Sequence, residues 1–152
     1  MVCLYKESEI RSHKVFGVCA LFLCFAIFSF GCTSLQDYKP QSEEEERIKE
    51  TVVNFIKGAD EGDVKKVSSV LSEKATCMVG NERKRLSKAE YLQFLQETGP
   101  RQNPFNLGTP EIKVSGSEAE VKVFVTHVDW RVQMVFKLNK EKGKWSIISW
   151  EY

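Results

Sequence analysis

A histidine and an aspartate two positions apart, His127 and Asp129, are the residues of this sequence that best fit acid–base chemistry. A carboxylate that holds an imidazole can poise it as a general base near neutral pH. The chain must turn at about residues 128–131, because a strand-like pattern ends before them and another follows. We therefore expect His127 and Asp129 at the rim of the fold, and the sequence assigns no other catalytic residue.

The cysteines and histidines predict neither a metal site nor a cofactor site. The chain has five cysteines and two histidines, and only one histidine, His127, lies outside the N-terminal segment that contains His13; no pair of cysteines lies near His127 as a zinc site requires. Cys77 has no basic neighbour in sequence that would make it a reactive thiolate. The sequence also lacks a glycine-rich phosphate loop and a Gly-x-Ser-x-Gly elbow. We expect no metal and no cofactor.

The charge balance gives no sign of a nucleic-acid partner. Lysine and arginine total 22, and aspartate and glutamate total 21. A neutral chain lacks the basic footprint that phosphate backbones attract. One basic cluster falls at residues 83–88, and we interpret it as a solvated rim ahead of a helix, with an anion or lipid headgroup site as the alternative.

The N-terminal segment is predicted to be a targeting signal rather than a folded domain. Basic residues precede an uncharged, mostly apolar run at residues 15–31. A helix of that length reaches only about 25 Å, which is short of the ~30 Å hydrocarbon core of a bilayer. This favours a removable export signal, and an uncleaved single-pass anchor is the alternative.

The end of that run, Gly31 followed by Cys32, resembles the processing site of bacterial lipoproteins. The resemblance implies that Cys32 is acylated and becomes the mature N-terminus. It divides the chain into a signal peptide (1–32), a polar tether (33–41) and a domain (42–152). Two or three acyl chains would hold the protein on the cell membrane or outer membrane, with its body facing the periplasm or the cell exterior.

The domain is predicted to begin with a long amphipathic helix. Residues 42–45 form a capping box, in which a serine and a glutamate satisfy each other's backbone N–H groups. Apolar residues then recur along one face of the helix. This stripe consists of Ile48, Val52, Phe55, Ile56 and Ala59.

Two shorter helices follow. Gly62 suits a left-handed helix end, and Asp63 suits the N-cap of a second helix at residues 64–71. Residues 87–90 repeat the capping-box pattern and open a third helix, which a Gly-Pro pair stops at residues 99 and 100.

The rest of the domain is predicted to be strands. Residues 75–79 and 111–115 read as short strands, and residues 118–152 alternate apolar and polar side chains as an antiparallel meander of three strands does. Helices followed by a run of strands indicate an α+β domain.

The order of these elements is similar to the nuclear transport factor 2-like (NTF2-like, also SnoaL-like or cystatin-like) superfamily. The likeness is carried by the helix at residues 48–59, the Glu-Gly-Asp-Val break at 61–64, the helix at 87–95 and the Gly-Lys-Trp turn at 142–147. It implies a cone-shaped fold in which three N-terminal helices pack on a curved antiparallel sheet. Enzymes of the superfamily place an Asp, an Asp–His pair or an Asp–Arg pair in the cone, but many members have no known activity, so the fold alone does not decide the function.

Two surfaces of such a fold are candidate binding sites for a small ligand or a protein partner. The cone interior could hold a small apolar ligand, although residues of these types usually form core; its lining would be Tyr91, Met78, Cys77, Met134 and Phe136. The outer face of the sheet would expose Phe124 and Val135 together with either Trp145 or Trp150. A cluster of that size predicts a homodimer or a docked envelope protein.

Three functional hypotheses follow from the sequence. The favoured one is a lipid-anchored, non-enzymatic envelope module that binds a protein partner or a small apolar ligand. The second is an enzyme of the isomerase, dehydratase or cyclase type that uses His127 with Asp129. The third is a scaffold component of an envelope complex that keeps its N-terminal anchor.

Overall fold

The computed structural model describes residues 34–35, 37–79 and 84–151. The predicted signal peptide and the lipidation site Cys32 lie outside these residues. Within the described part, no helix is long and apolar enough to cross a membrane.

The three predicted helices are confirmed. Helix α1 spans Glu43–Glu61, and Ser42 caps it by accepting the N–H of Glu45. Gly62 ends α1 in the left-handed conformation, with φ +68°. Asp63 then caps helix α2, Val64–Val70, and the capping box at Ser87 opens helix α3, Lys88–Thr98.

Within the described residues, seven strands form one curved, unclosed sheet. They are β1 (Leu71–Val79), β2 (Lys84–Ser87), β3 (Asn106–Leu107), β4 (Glu111–Ser115), β5 (Glu118–His127), β6 (Trp130–Glu141) and β7 (Lys144–Glu151). The order is β2-β1-β7-β6-β5-β3, and β4 also pairs with β5. The sheet is mixed rather than wholly antiparallel, because β1 runs parallel to β7.

Aromatic side chains join the helices to the sheet. The ring of Phe55 on α1 lies 4.7 Å from Trp150 on β7, 5.6 Å from Phe136 on β6 and 5.9 Å from Tyr91 on α3, centroid to centroid. All four side chains are buried. The contacts with Trp150 and Phe136 are edge-to-face and the contact with Tyr91 is stacked. Both arrangements add to the burial energy, so this group is the centre of the core.

A β-bulge in β7 places both of its tryptophans inside. Leu138 pairs with Ile147 and Lys137 pairs with Ser149, so Ile148 is an extra residue that reverses the alternation of side chains. Trp145 and Trp150 are consequently both 3% exposed. The prediction that one of them lies on the outer face of the sheet is wrong.

The segment predicted to be a tether is held against the domain along its described part. Leu35 is fully buried, and its N–H donates to the carbonyl oxygen of Leu107 at 3.2 Å. Ser34 forms an antiparallel bridge with Gly108. The Tyr38 hydroxyl donates to the Glu45 carboxylate at 3.0 Å. Ser34, Leu35 and Tyr38 therefore extend the domain instead of forming a free tether.

One carboxylate links the start of α1 to the sheet. Glu44 accepts hydrogen bonds from Lys140 Nζ and from Trp145 Nε1, each at 2.7 Å. The bond from Lys140, followed by that from Trp145, lowers the pKa of Glu44 below its ordinary 4.5. Its contribution to stability is therefore present above pH 4.5 and is lost as the pH falls through the lowered pKa.

We expect Glu44→Gln to lower the urea midpoint at pH 7, because the ion pair with Lys140 is lost. The difference from the wild type should shrink as the pH falls below the ordinary pKa of a glutamate, since the wild-type carboxylate is then protonated too. Glu46→Gln, an exposed position in the same turn, is the matched control. A midpoint difference that stays constant from pH 7 to strong acid would contradict this role.

Candidate functional site

Two buried side-chain atoms in the described part of the chain have no hydrogen-bond partner, Asp60 Oδ1 and His127 Nδ1. Buried polar atoms are nearly always paired, so each such atom requires an explanation. The two belong to one neighbourhood, because Phe105 donates its N–H to Asp60 Oδ2 at 3.1 Å and its ring centroid lies 5.8 Å from that of His127. This neighbourhood is the candidate site.

Asp60 reaches the site because it continues the buried stripe of α1, four residues after Ile56. Its side chain is only 11% exposed. The N–H of Phe105 donates to Asp60 Oδ2 at 3.1 Å, and the N–H of Arg101 donates to the Asp60 carbonyl oxygen at 2.8 Å. Arg101 Nε lies 3.8 Å from Asp60 Oδ1, which is ion-pair distance but too long for a hydrogen bond.

Three rings cluster beside the loop that contacts Asp60, and one of them is Phe105 itself. The rings of Phe105, His127 and Trp130 lie 5.6–5.8 Å apart pairwise, centroid to centroid. The guanidinium carbon of Arg101 lies 3.9 Å from the centroid of the Phe105 ring, a cation–π contact. We call Asp60, Arg101, Phe105, His127 and Trp130 the rim cluster. Trp130 is 43% exposed, so solvent reaches one side of it.

Gly62 lets the loop after α3 approach the end of α1. A Cβ on Gly62 would lie 2.9 Å from the backbone nitrogen of Pro100, and its φ of +68° also favours glycine. The close approach brings Arg101 and Phe105 to Asp60, although the two segments are about forty residues apart in sequence.

The pKa of Asp60 is raised from its ordinary 3.8, chiefly by burial. The Phe105 N–H and the charges of Arg101 and His127 oppose this shift without cancelling it. The folded protein thus holds this proton more tightly than the unfolded chain does. The contribution of Asp60 to stability is full below pH 3.8 and is lost as the pH rises through the raised pKa.

We expect Asp60→Asn to raise the free energy of unfolding at pH 7, by about 1 kcal/mol or less, because it removes a poorly solvated charge. The gain should vanish near pH 3, where the wild-type carboxyl group is protonated. Urea unfolding at both pH values measures this effect. Asp129→Asn, at an exposed position, should change stability by less than about 0.5 kcal/mol at either pH. A large loss of stability in Asp60→Asn at pH 7 would contradict the assignment.

The predicted pair of His127 with Asp129 is not what the structure brings together. Val128 and Asp129 form the exposed turn between β5 and β6, while His127 and Trp130 pair across it. Among the described residues no hydrogen bond or ion pair joins His127 to Asp129, and the carboxylate of the cluster that holds His127 is Asp60. A signal for Asp60 was present in the sequence as an acidic residue on an otherwise apolar helix stripe.

The residues predicted to line the cone interior pack into the core. Tyr91, Cys77, Met134 and Phe136 are all at most 7% exposed and belong to one hydrophobic cluster. Burial raises the pKa of Cys77 to about 11, so its thiol stays protonated at neutral pH. Met78 is half-buried and lines a shallow surface groove.

Of the predicted interface residues, Phe124 and Val135 remain at the surface of the sheet. Phe124 is 40% exposed, and the guanidinium carbon of Arg131 lies 4.2 Å from the centroid of its ring. Val135 is half-buried. As for metals, no group of three or more His, Cys, Asp or Glu side chains that could hold an ion occurs among residues 34–35, 37–79 and 84–151.

The family of the chain follows from comparison with known proteins. A family model described as "Putative lumazine-binding" matches residues 43–152, which include every helix and strand described above. The chain belongs to this family. A search of curated protein sequences finds no match.

Solved structures similar to this family member confirm its NTF2-like, or cystatin-like, fold. An NTF2-like protein of unknown function from Shewanella baltica OS155 has a TM-score of 0.62 at 19% identity, over 75% of this chain and 95% of that one. A cystatin-like protein of unknown function from Nostoc punctiforme PCC 73102 has a TM-score of 0.64 at 18% identity, over 75% and 92%. A "putative ketosteroid isomerase" from Shewanella frigidimarina NCIMB 400 has 0.61 at 17%, over 68% and 91%.

Proposed function

We propose that this protein is a lipid-anchored, non-enzymatic module of the cell envelope that binds a small planar ligand at the rim cluster. The observation that carries the proposal is that two buried polar atoms without a hydrogen-bond partner, Asp60 Oδ1 and His127 Nδ1, coincide with three clustered rings. A binding site typically combines apolar and aromatic walls with a few convergent polar groups.

The side chains of the rim cluster define the ligand's chemistry. Trp130 and Phe105 offer aromatic surface, Asp60 Oδ1 accepts a hydrogen bond, and Arg101 donates. A planar ring system with an N–H donor and a carbonyl acceptor matches this set. Lumazine, which the family's description names, is such a molecule: a fused two-ring heteroaromatic with ring N–H groups and carbonyl oxygens.

Isothermal titration of lumazine into the detergent-solubilised protein tests this proposal. We expect saturable binding at one site per chain. An absence of binding up to the solubility limit of lumazine, with the protein shown to be folded by circular dichroism, would contradict it.

An acid–base enzyme is the second candidate, and one observation favours it. Asp60 is buried, and burial raises its pKa in a cluster that also holds His127, which is the kind of environment that a general acid or base carboxylate has. The similar ketosteroid-isomerase-like structure adds support. Turnover of a β,γ-unsaturated ketosteroid that Asp60→Asn abolishes would establish this function in place of binding alone; we expect no turnover.

The proposal includes a membrane anchor at Cys32. We propose that Cys32 is acylated and that the domain lies on the cell membrane or outer membrane, facing the periplasm or the exterior. Intact-mass spectrometry of protein extracted from membranes tests this, with an N-terminus at acylated Cys32 expected. A mass that includes residues 1–31 would instead support an uncleaved anchor and the scaffold hypothesis.

Association through the outer face of the sheet stays a prediction. It now rests on Phe124 and Val135 without the tryptophans. Light scattering of residues 34–152 tests it, and this fragment keeps the buried Leu35 that a shorter one would lack. A dimer that Val135→Asp separates is expected, and a monomer at tens of micromolar would contradict it.

A further inference from the structure

We propose that the end of the domain at the β5–β6 turn rests on the bilayer that holds the acyl chains of Cys32. The surface concerned is the end of the β5–β6 hairpin, with Val128 at its tip, Trp130 on the inner side of the sheet and Phe124 with Arg131 on the outer side, and we call it the membrane face. This inference depends on the acylation proposed above, and the experiment below keeps the failure of one distinct from the failure of the other.

The length of chain between the anchor and the domain limits where the bilayer can be. Cys32 lies two residues before Ser34, so their Cα atoms are at most about 8 Å apart. Ser34 is fixed by its bridge to Gly108, and Leu35 is fully buried with its N–H bonded to Leu107. Since only Thr33 separates Cys32 from the fixed Ser34, acyl chains on Cys32 would enter the bilayer close to Gly108.

Gly108 lies directly beside the membrane face. Its N–H donates to the carbonyl oxygen of Phe124 at 2.8 Å, and β3 pairs with β5 at the two positions that follow Phe124. Val128 is four residues further along, or about 13 Å at strand spacing. A bilayer that receives the acyl chains near Gly108 is therefore within reach of the β5–β6 turn.

Exposed apolar side chains are concentrated at this end. Five large hydrophobic residues of the described part are exposed, and three of them, Phe124, Val128 and Trp130, fall within seven consecutive positions. Val128, at 75% exposure, is the most exposed of the five and stands at the tip of the turn. Apolar surface gathered at one end of a domain indicates a partner there.

The side chains suit a lipid interface better than a dry protein contact. Tryptophan, with an apolar ring and one N–H donor, is enriched at the boundary between headgroups and acyl chains. Arg131, stacked on Phe124, can pair with lipid phosphate through its guanidinium group. Asp129 in the same turn opposes this attraction, so the apolar residues rather than the net charge must dominate.

Fluorescence quenching by lipid tests this placement. The acylated full-length mature protein, with acylation verified by mass, is incorporated into vesicles of phosphatidylethanolamine and phosphatidylglycerol whose acyl chains carry bromine near the glycerol backbone. We expect part of the tryptophan emission to be quenched, and we expect Trp130→Phe to remove that quenching because Trp145 and Trp150 are buried.

A second variant separates contact with lipid from any change in Trp130 itself. Val128→Asp should reduce the quenching by at least about half, since it places a charge at the tip of the turn. Phe94→Asp, at an exposed apolar position on α3, should leave the quenching unchanged.

Two results would overturn the inference while leaving the anchor intact. The first is acylated protein with no quenching by the brominated lipid, and the second is quenching that Val128→Asp leaves unchanged. Absence of acylation would instead refute the proposed anchor. Emission of Trp130 that changes with protein concentration in detergent, without lipid quenching, would assign the face to a second copy of the chain.

Discussion

Trp150→Ala should lower the free energy of unfolding by about 3–5 kcal/mol, the usual loss when a buried aromatic side chain is truncated. Trp150 is 3% exposed, and its ring lies 4.7 Å from Phe55 and 4.8 Å from Tyr91. Removing it leaves a cavity where α1, α3 and β7 meet. Urea unfolding followed by far-ultraviolet circular dichroism measures the loss.

Phe124→Ala is the matched control, because it also removes an aromatic ring from the sheet but at a surface position. We expect it to cost less than about 1 kcal/mol, since Phe124 is 40% exposed and its main contact is with Arg131. If Trp150→Ala weakened self-association and left stability unchanged, Trp150 would lie at an interface. That is where it would lie if β7 alternated without the bulge at Ile148.

Asp60→Asn should weaken lumazine binding by about 10- to 100-fold. A hydrogen bond to a charged acceptor contributes about 1.5–3 kcal/mol, and each 1.4 kcal/mol is a factor of ten in the dissociation constant. Asp60 Oδ1 is the acceptor of the rim cluster that has no hydrogen-bond donor. The same substitution is expected to stabilise the folded protein at pH 7, so weaker binding could not be attributed to unfolding.

Asp129→Asn makes the same chemical change two residues from His127, at an exposed position in the turn. We expect it to leave the dissociation constant for lumazine unchanged within about twofold. Titration calorimetry on both variants decides between the carboxylates. Equal losses in the two variants, or a loss in Asp129→Asn alone, would contradict the assignment of Asp60.

The local sequence predicts the helices of this fold well and the pairing of its strands less well. Helix α1 is readable because a cap, an apolar stripe and a terminal glycine are all signals within a few residues of where they act. The parallel pairing of β1 with β7 joins segments about seventy residues apart, and no local pattern records it. Strand β2 shows no strand pattern in the sequence, because only Leu86 of its four residues is buried.

The bulge at Ile148 shows why a strand can be predicted correctly while its exposed side chains are predicted wrongly. The alternation in β7 is real on each side of Ile148, but one extra residue exchanges the two faces between Ile147 and Trp150. Its position is set by hydrogen bonds to β6, which the sequence of β7 does not contain.

The candidate site was predictable only in part. His127 was recognised from its residue type and its place before a turn. Asp60 was not, because its neighbours Arg101 and Phe105 come from a loop that folds back on α1 past Gly62. Sites assembled from distant segments need the tertiary structure, even when each residue is conspicuous.

The central claim, that the rim cluster is a ligand site, is tested most directly by nuclear magnetic resonance of ¹⁵N-labelled protein titrated with lumazine. The chain has three tryptophans, and the indole N–H of Trp145 is already bonded to Glu44. We predict that the Trp130 indole and the Phe105 amide signals shift in proportion to ligand bound while the Trp145 indole signal stays in place. Saturable shifts confined to other parts of the domain, with Trp130 and Phe105 unmoved, would contradict the account.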